Sequence, residues 1–163
     1  MKPAVALRVG YLFDTETLLA LLSLLGLPPF LPCRGAAADT ETLIRRGYVS
    51  QAEDGRATVD LELAFLLEAL ALSPEAVQWT SKKGECLTAC VSRGVWILCR
   101  KTAMGKWEIC PLREAAQAAA EIDGALRGMG PDACFTCRFS QQTPPPSSGA
   151  RCIRMLRQAA ARR

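Results

Sequence analysis

Residues Val95–Lys101 set the hardest condition on what this chain can fold into. In an extended strand alternate side chains point to opposite faces, which places Val95, Ile97 and Cys99 on one side and Trp96 and Leu98 on the other. A strand that is apolar on both faces needs cover on both, so the fold must be layered around it. The flanking segments extend the pattern. Leu87–Ser92 alternates Leu87, Ala89 and Val91 with Thr88, Cys90 and Ser92, as a strand covered on one face only would. With Lys106–Cys110 and turns at Arg93-Gly94 and Ala103–Gly105, the three segments predict an antiparallel meander. A helix over Leu112–Leu126, with the small-sided stripe Leu112, Ala115, Ala119, Ile122 and Leu126, supplies one covering layer. The other layer is either the helical N-terminal half or a partner chain.

The N-terminal half is organised by one pentapeptide used twice. DTETL occurs at Asp14–Leu18 and again at Asp39–Leu43, and each copy opens a helical run. An Asp or Thr oxygen can accept from the unpaired N–H groups of a first turn, and the Glu that follows suits the positive end of the helix dipole. The sequences after the copies diverge at once, so this is one capping device used twice rather than a duplicated unit. Gly26 and Gly47 are the matching stops, which predicts helices over Thr15–Leu25 and Thr40–Arg46. Tyr48–Val49 and Ala57–Val59 flank SQAEDGR, whose Asp54-Gly55 pair signals a hairpin turn. Asp60 then caps a helix over Leu61–Leu72 in which only Glu62 and Glu68 are charged, as expected of a helix central to the core. Val5–Phe13 reads as a strand or extended lead-in. Ser73-Pro74 restarts the chain with proline at a first helical position. Phe135–Phe139 can form one more strand.

The expected fold is therefore α+β: a winged-helix-like helix–helix–hairpin–helix N-terminal half, then a three-stranded antiparallel meander and a packing helix. A single domain spans residues 1–140. QQTPPPSSGA over 141–150 is a linker by composition, and 151–163 is a basic tail with Ile153, Leu156 and Ala160 on one helical face. Such a helix is weak on its own.

Charge divides the chain. Residues 1–75 carry six basic against ten acidic side chains, a net −4; residues 76–163 carry fourteen against six, a net +8. The basic half is suited to acidic surfaces or nucleic acid. The leucine run Leu18–Leu27 ends at Pro28-Pro29 after about ten residues, half of the ~20 that a spanning helix needs. A core helix is expected there, with no membrane span. Without an export signal, the eight cysteines are expected as reduced thiols in a cytoplasmic protein.

No catalytic constellation emerges. The chain has no histidine, which removes imidazole acid–base chemistry and Ser–His or Cys–His nucleophile pairs, and it has no phosphate-binding glycine loop. No enzyme activity, cofactor or metal is expected. Cys86, Cys90, Cys134 and Cys137 form the one grouping with a zinc-like look, although the step from Cys86 to Cys90 along a strand is poor knuckle spacing. The winged-helix order raises a nucleic-acid-binding alternative. Residues 39–62, however, hold three arginines against six acids, where phosphate contacts need a positive surface.

The order of these segments carries a family resemblance. A leucine-rich helix, a short helix ending in LIRRGYV, a hairpin, VDLELAFLLEAL and a meander containing GVWILCRK and KWEICPL are together similar to the EspG-like chaperone and adaptor proteins of type VII secretion systems. The resemblance covers residues 15–126 and transfers no single functional residue. It implies a non-catalytic cytosolic binder of helical protein partners. The expected partner-binding surface is an apolar sheet face near Trp96, Leu98 and Trp107, with nucleic acid as the lesser alternative partner.

Overall fold

The computed structural model describes residues 10–30, 37–102, 104–130, 133–137 and 148–161. Residues 141–147 of the linker expected over 141–150, residues 5–9 of the first expected strand and Phe139 lie outside them, and the last two linker residues belong to a helix. In chain order the elements are β1 (Tyr11–Phe13), α1 (Thr15–Leu24), α2 (Thr40–Arg45), β2 (Val49–Gln51), β3 (Ala57–Val59), α3 (Leu61–Leu72) and β4 (Ala76–Thr80). There follow β5 (Cys86–Ser92), β6 (Val95–Lys101), β7 (Trp107–Leu112), α4 (Ala115–Met129), β8 (Cys134–Cys137) and α5 (Gly149–Ala161).

The class is α+β, but the expected arrangement is corrected. The meander β5–β6–β7 is the middle of a six-stranded antiparallel sheet in the order β1-β7-β6-β5-β4-β8. Three strands are added, and two of them, β1 and β4, bring in chain that the expectation kept apart. Tyr11 and Phe13, from before the first helix, pair with Ile109 and Trp107 of β7. After Ser73-Pro74 the chain enters β4 rather than a helix, pairing Val77 with Ala89 and Trp79 with Leu87 of β5. Helix, helix, hairpin and helix do follow one another as α1, α2, β2–β3 and α3. They do not form a separate winged-helix-like half, because β1 ties their start into the sheet and α3 packs on β5 and β6.

The two-sided strand has its two covers, both from this chain. Ile97 and Cys99 of β6 enter one core with Leu18, Leu21, Leu43, Leu66 and Leu70 from α1, α2 and α3. Trp96 and Leu98 enter a second core with Ala118 and Ile122 of α4 and Cys152, Ile153 and Leu156 of α5. β5 is covered on both faces as well, not on one: Cys86 and Cys90 belong to the first core and Leu87 and Ala89 to the second. α4 begins three residues later than expected, since Leu112 ends β7 opposite Trp96. Its buried stripe is Ala118, Ile122, Ala125 and Met129.

Each DTETL copy caps its helix as the sequence predicts. Asp14 Oδ1 accepts from Thr17 N at 2.9 Å and Asp39 Oδ1 from Thr42 N at 2.8 Å. The ends match too. Gly26 and Gly47 stand at φ +68 and +81, and the following residues donate back to the helix, Leu27 N to Leu22 O and Tyr48 N to Leu43 O. One side chain locks the two helices together: Arg46, just past α2, donates to the Asp14 carboxylate at 3.0 Å and to Thr17 Oγ1.

α5, expected as a tail helix, lies against α4 and buries Cys152 and Leu156 completely. Its first residue makes the closest backbone approach of this contact. A Cβ on Gly149 would run into the backbone carbonyl of Ala119, so only glycine lets the helices meet there. Gly149 N donates to Asp123 Oδ1 at 2.6 Å, which gives the α5 N-terminus an acceptor on α4.

Candidate protein-docking surface

Trp96, Leu98 and Trp107 do not form the exposed face expected of them. Trp96 and Leu98 are 4% and 5% exposed and face α4 and α5, while Trp107 is fully buried on the opposite side of the sheet. The physical reason is the two-sided strand itself: this chain supplies both covers, leaving no bare sheet face at that point. Trp107 is held from two directions. Its Nε1 donates to Thr15 Oγ1 at 3.0 Å, and Lys101 Nζ lies 5.5 Å from its ring centroid.

The uncovered apolar surface lies instead on α3. A 12-residue helix can bury one stripe against a sheet, and α3 does so with Leu63, Leu66, Leu67 and Leu70. Because nearly every other position is also apolar, a second stripe remains outside: Leu61, Ala64, Phe65 and Leu72, one and two turns apart, with Ala69 buried at its base. Leu61 is 84% exposed and Leu72 55%. The helix is central to the first core, as expected, and keeps this second stripe outside it. With Ser73, Pro74, Ser92 and Arg93, the outer stripe lines an open groove of about 440 Å³.

Local chemistry fixes the groove's shape. Asp60 Oδ2 accepts from Leu63 N at 3.4 Å and caps α3. Tyr11 Oη donates to the Asp60 and Glu62 carboxylates at 3.5 and 3.4 Å, tying the α3 start to the sheet edge. Burial, then the two nearby carboxylates, push the pKa of the Tyr11 hydroxyl up to about 12. The far wall is the β5–β6 turn, where Arg93 and Gly94 both stand at positive φ, +51 and +76. Among the described residues Arg93 is the one non-glycine in that region, a conformation that costs an L-residue ~1–2 kcal/mol. It adds a guanidinium to the lining, across from the Glu68 carboxylate supplied by the helix.

Zinc binding, and a nucleic-acid contact made by the helix–hairpin unit, find little support in this geometry. Cys86 and Cys90 are four residues apart in β5, about 13 Å along a strand, too far to share a tetrahedral ion whose Zn–S bonds are ~2.3 Å. Among the described residues no group of three or more His, Cys, Asp or Glu is placed to hold a metal. All three arginines in the helix–hairpin unit are engaged, Arg46 with Asp14 and Arg56 with Asp54 at 3.1 Å in ion pairs and Arg45 with Thr42 Oγ1 at 3.5 Å. Among the described residues no helix is long and apolar enough to cross a membrane.

Composition hides the outer stripe from sequence reasoning. In LELAFLLEALAL every residue but Glu62 and Glu68 is leucine, phenylalanine or alanine, so the side that meets water is marked only by Glu68, which falls among Leu61, Phe65 and Leu72, and by Glu62 at its border. The available signal is length: one short helix offers more apolar surface than one sheet face can cover. No protein-family model matches the chain, and no curated protein matches it.

Proposed function

We propose that this chain is a non-catalytic protein-interaction module that docks a helix of a partner protein in the groove along α3. The observation that carries the reading is the second apolar stripe, with Leu61 and Leu72 turned to solvent beside half-buried Phe65. Exposed large apolar side chains gathered in a concave surface are the mark of a binding groove, whereas scattered ones are ordinary. The spacing suits an amphipathic helix presenting anchors at i, i+3 or i+4, and i+7. Arg93 supports it: a strained non-glycine backbone is retained where its side chain borders the groove.

The resemblance to EspG-like proteins supplies the class of partner, a helical-hairpin substrate of a type VII secretion system, and the cytosol as the compartment in which the two meet. The chain then acts as chaperone or adaptor and performs no chemistry on what it holds. Calorimetric titration with small helical-hairpin proteins encoded beside this gene tests the reading. A complex is expected, with affinity at least tenfold lower for Leu61→Ser/Leu72→Ser. The absence of any complex, or one indifferent to that double substitution, would sink it.

A further inference from the structure

We propose a second binding face, on the outer side of α5, that takes the phosphodiester backbone of nucleic acid. α5 turns Arg151, Arg154 and Arg157 to solvent, with Ala150, Gln158 and Ala161 completing the exposed side, and contains no acidic residue. At 100° and 1.5 Å per residue, the three guanidiniums fall within about 120° of the helix and span about 9 Å of its axis. That length matches two to three phosphates along one strand of a duplex. Among the described residues none of the three forms an ion pair; the ion pairs there belong to Arg46, Arg56 and Arg100. Arg157 is also oriented from beneath, its guanidinium 5.6 Å from the Trp96 ring centroid. Among the described residues no ion pair joins the stripe to the acids of the adjoining α4: Asp123 accepts from Gly149 N, Glu121 is half-buried and Glu114 precedes the helix.

The planar arginine fork suits phosphate and carboxylate alike, in pairs of hydrogen bonds; one feature favours phosphate over an acidic protein. A protein partner needs an apolar anchor at the centre of its contact, and α5 exposes no large apolar side chain. Electrostatic contact with a polyanion needs none, because counterion release supplies the driving force.

The test is fluorescence anisotropy of the full chain with a labelled mixed-sequence duplex over a salt series. Three phosphate contacts predict a log–log slope of about −2.7 and roughly 40-fold weaker binding at 200 mM than at 50 mM salt. Arg151→Gln/Arg154→Gln, which leaves the Arg157–Trp96 contact alone, should reduce the slope by about 2. Unaltered thermal melting of that variant would show the fold to be intact. No binding at the lowest salt, or a slope unchanged in the variant, overturns the proposal. So does poly-glutamate binding as tightly as the duplex and with the same dependence on the two arginines.

Discussion

α3 and α5 lie on opposite faces of the sheet, one in each layer, and they solve opposite problems. α3 is the more apolar by far, yet it leaves Leu61 and Leu72 in water. α5 has fewer apolar residues, yet Cys152, Ile153, Leu156 and Ala159 are all buried, and three arginines, a glutamine and two alanines make up its exposed side. The difference is periodicity. In α5 the apolar residues fall on one stripe, so composition and burial agree. In α3 they fall on two, and a sheet face has room for one. How apolar a helix is therefore says little about how much of it is buried, and the excess apolar stripe is where a partner can bind.

The sharpest way to break this comparison is to remove one leucine from each stripe. Leu156→Ala in α5 and Leu66→Ala in α3 should each cost about 2–5 kcal/mol in urea unfolding, because both side chains are fully enclosed. A small effect at either position would mean that the core holding it is not closed. Next in size is Gly149→Ala. The added methyl meets the Ala119 carbonyl, so α5 must shift along α4 at about 1–3 kcal/mol, read as lost stability and altered Trp96 fluorescence.

A third prediction concerns the acid side of the N-terminal layer. The hydrogen bond from Thr17, then the Arg46 guanidinium, hold the Asp14 carboxyl below its ordinary 3.8, and Thr42 does the same for Asp39. A depressed carboxylate stabilises the fold above its unfolded value and loses that contribution as pH falls through the folded one. Stability should therefore decline below about pH 3.8. Asp14→Asn keeps a capping oxygen that does not titrate, so its stability curve should be flatter there; an unchanged slope would refute the role given to Asp14. The smallest effects belong to the outer stripe. Leu72→Ser should change stability by less than ~0.5 kcal/mol, and Arg93→Gly should raise it by under ~1 kcal/mol by relieving the backbone. Loss of partner binding in either, without loss of stability, would separate docking from folding.

What the sequence makes legible follows the same logic. The helix caps can be read because Asp14, Asp39 and their glycine stops act locally, within one turn of the chain. The two-sided cover of β6 can be read because alternation is a property of seven consecutive residues. β4 escapes because Ser73-Pro74 suits a helix start as well as a strand start, and Val77 and Trp79 give only two alternating positions. β1 reads as extended, but its pairing with β7 joins residues nearly a hundred apart and leaves no local trace. The site suffers most. Trp96 and Leu98 look like a binding face until α5, from the far side of a proline-rich stretch, is known to lie over them. Gly149 reads as part of that stretch, whereas it is the contact that seats the helix.

The division of the interior by the sheet also sets an order of assembly during synthesis. The first core is complete once the chain has reached Ile109, whereas the second waits for Leu156, some fifty residues later. For that interval the emerging chain can close one layer while Trp96 and Leu98 have at most α4 over them. The sheet is then an early half-fold with one wet, aromatic face, and α5 is the element that retires it from the reach of chaperones and other chains.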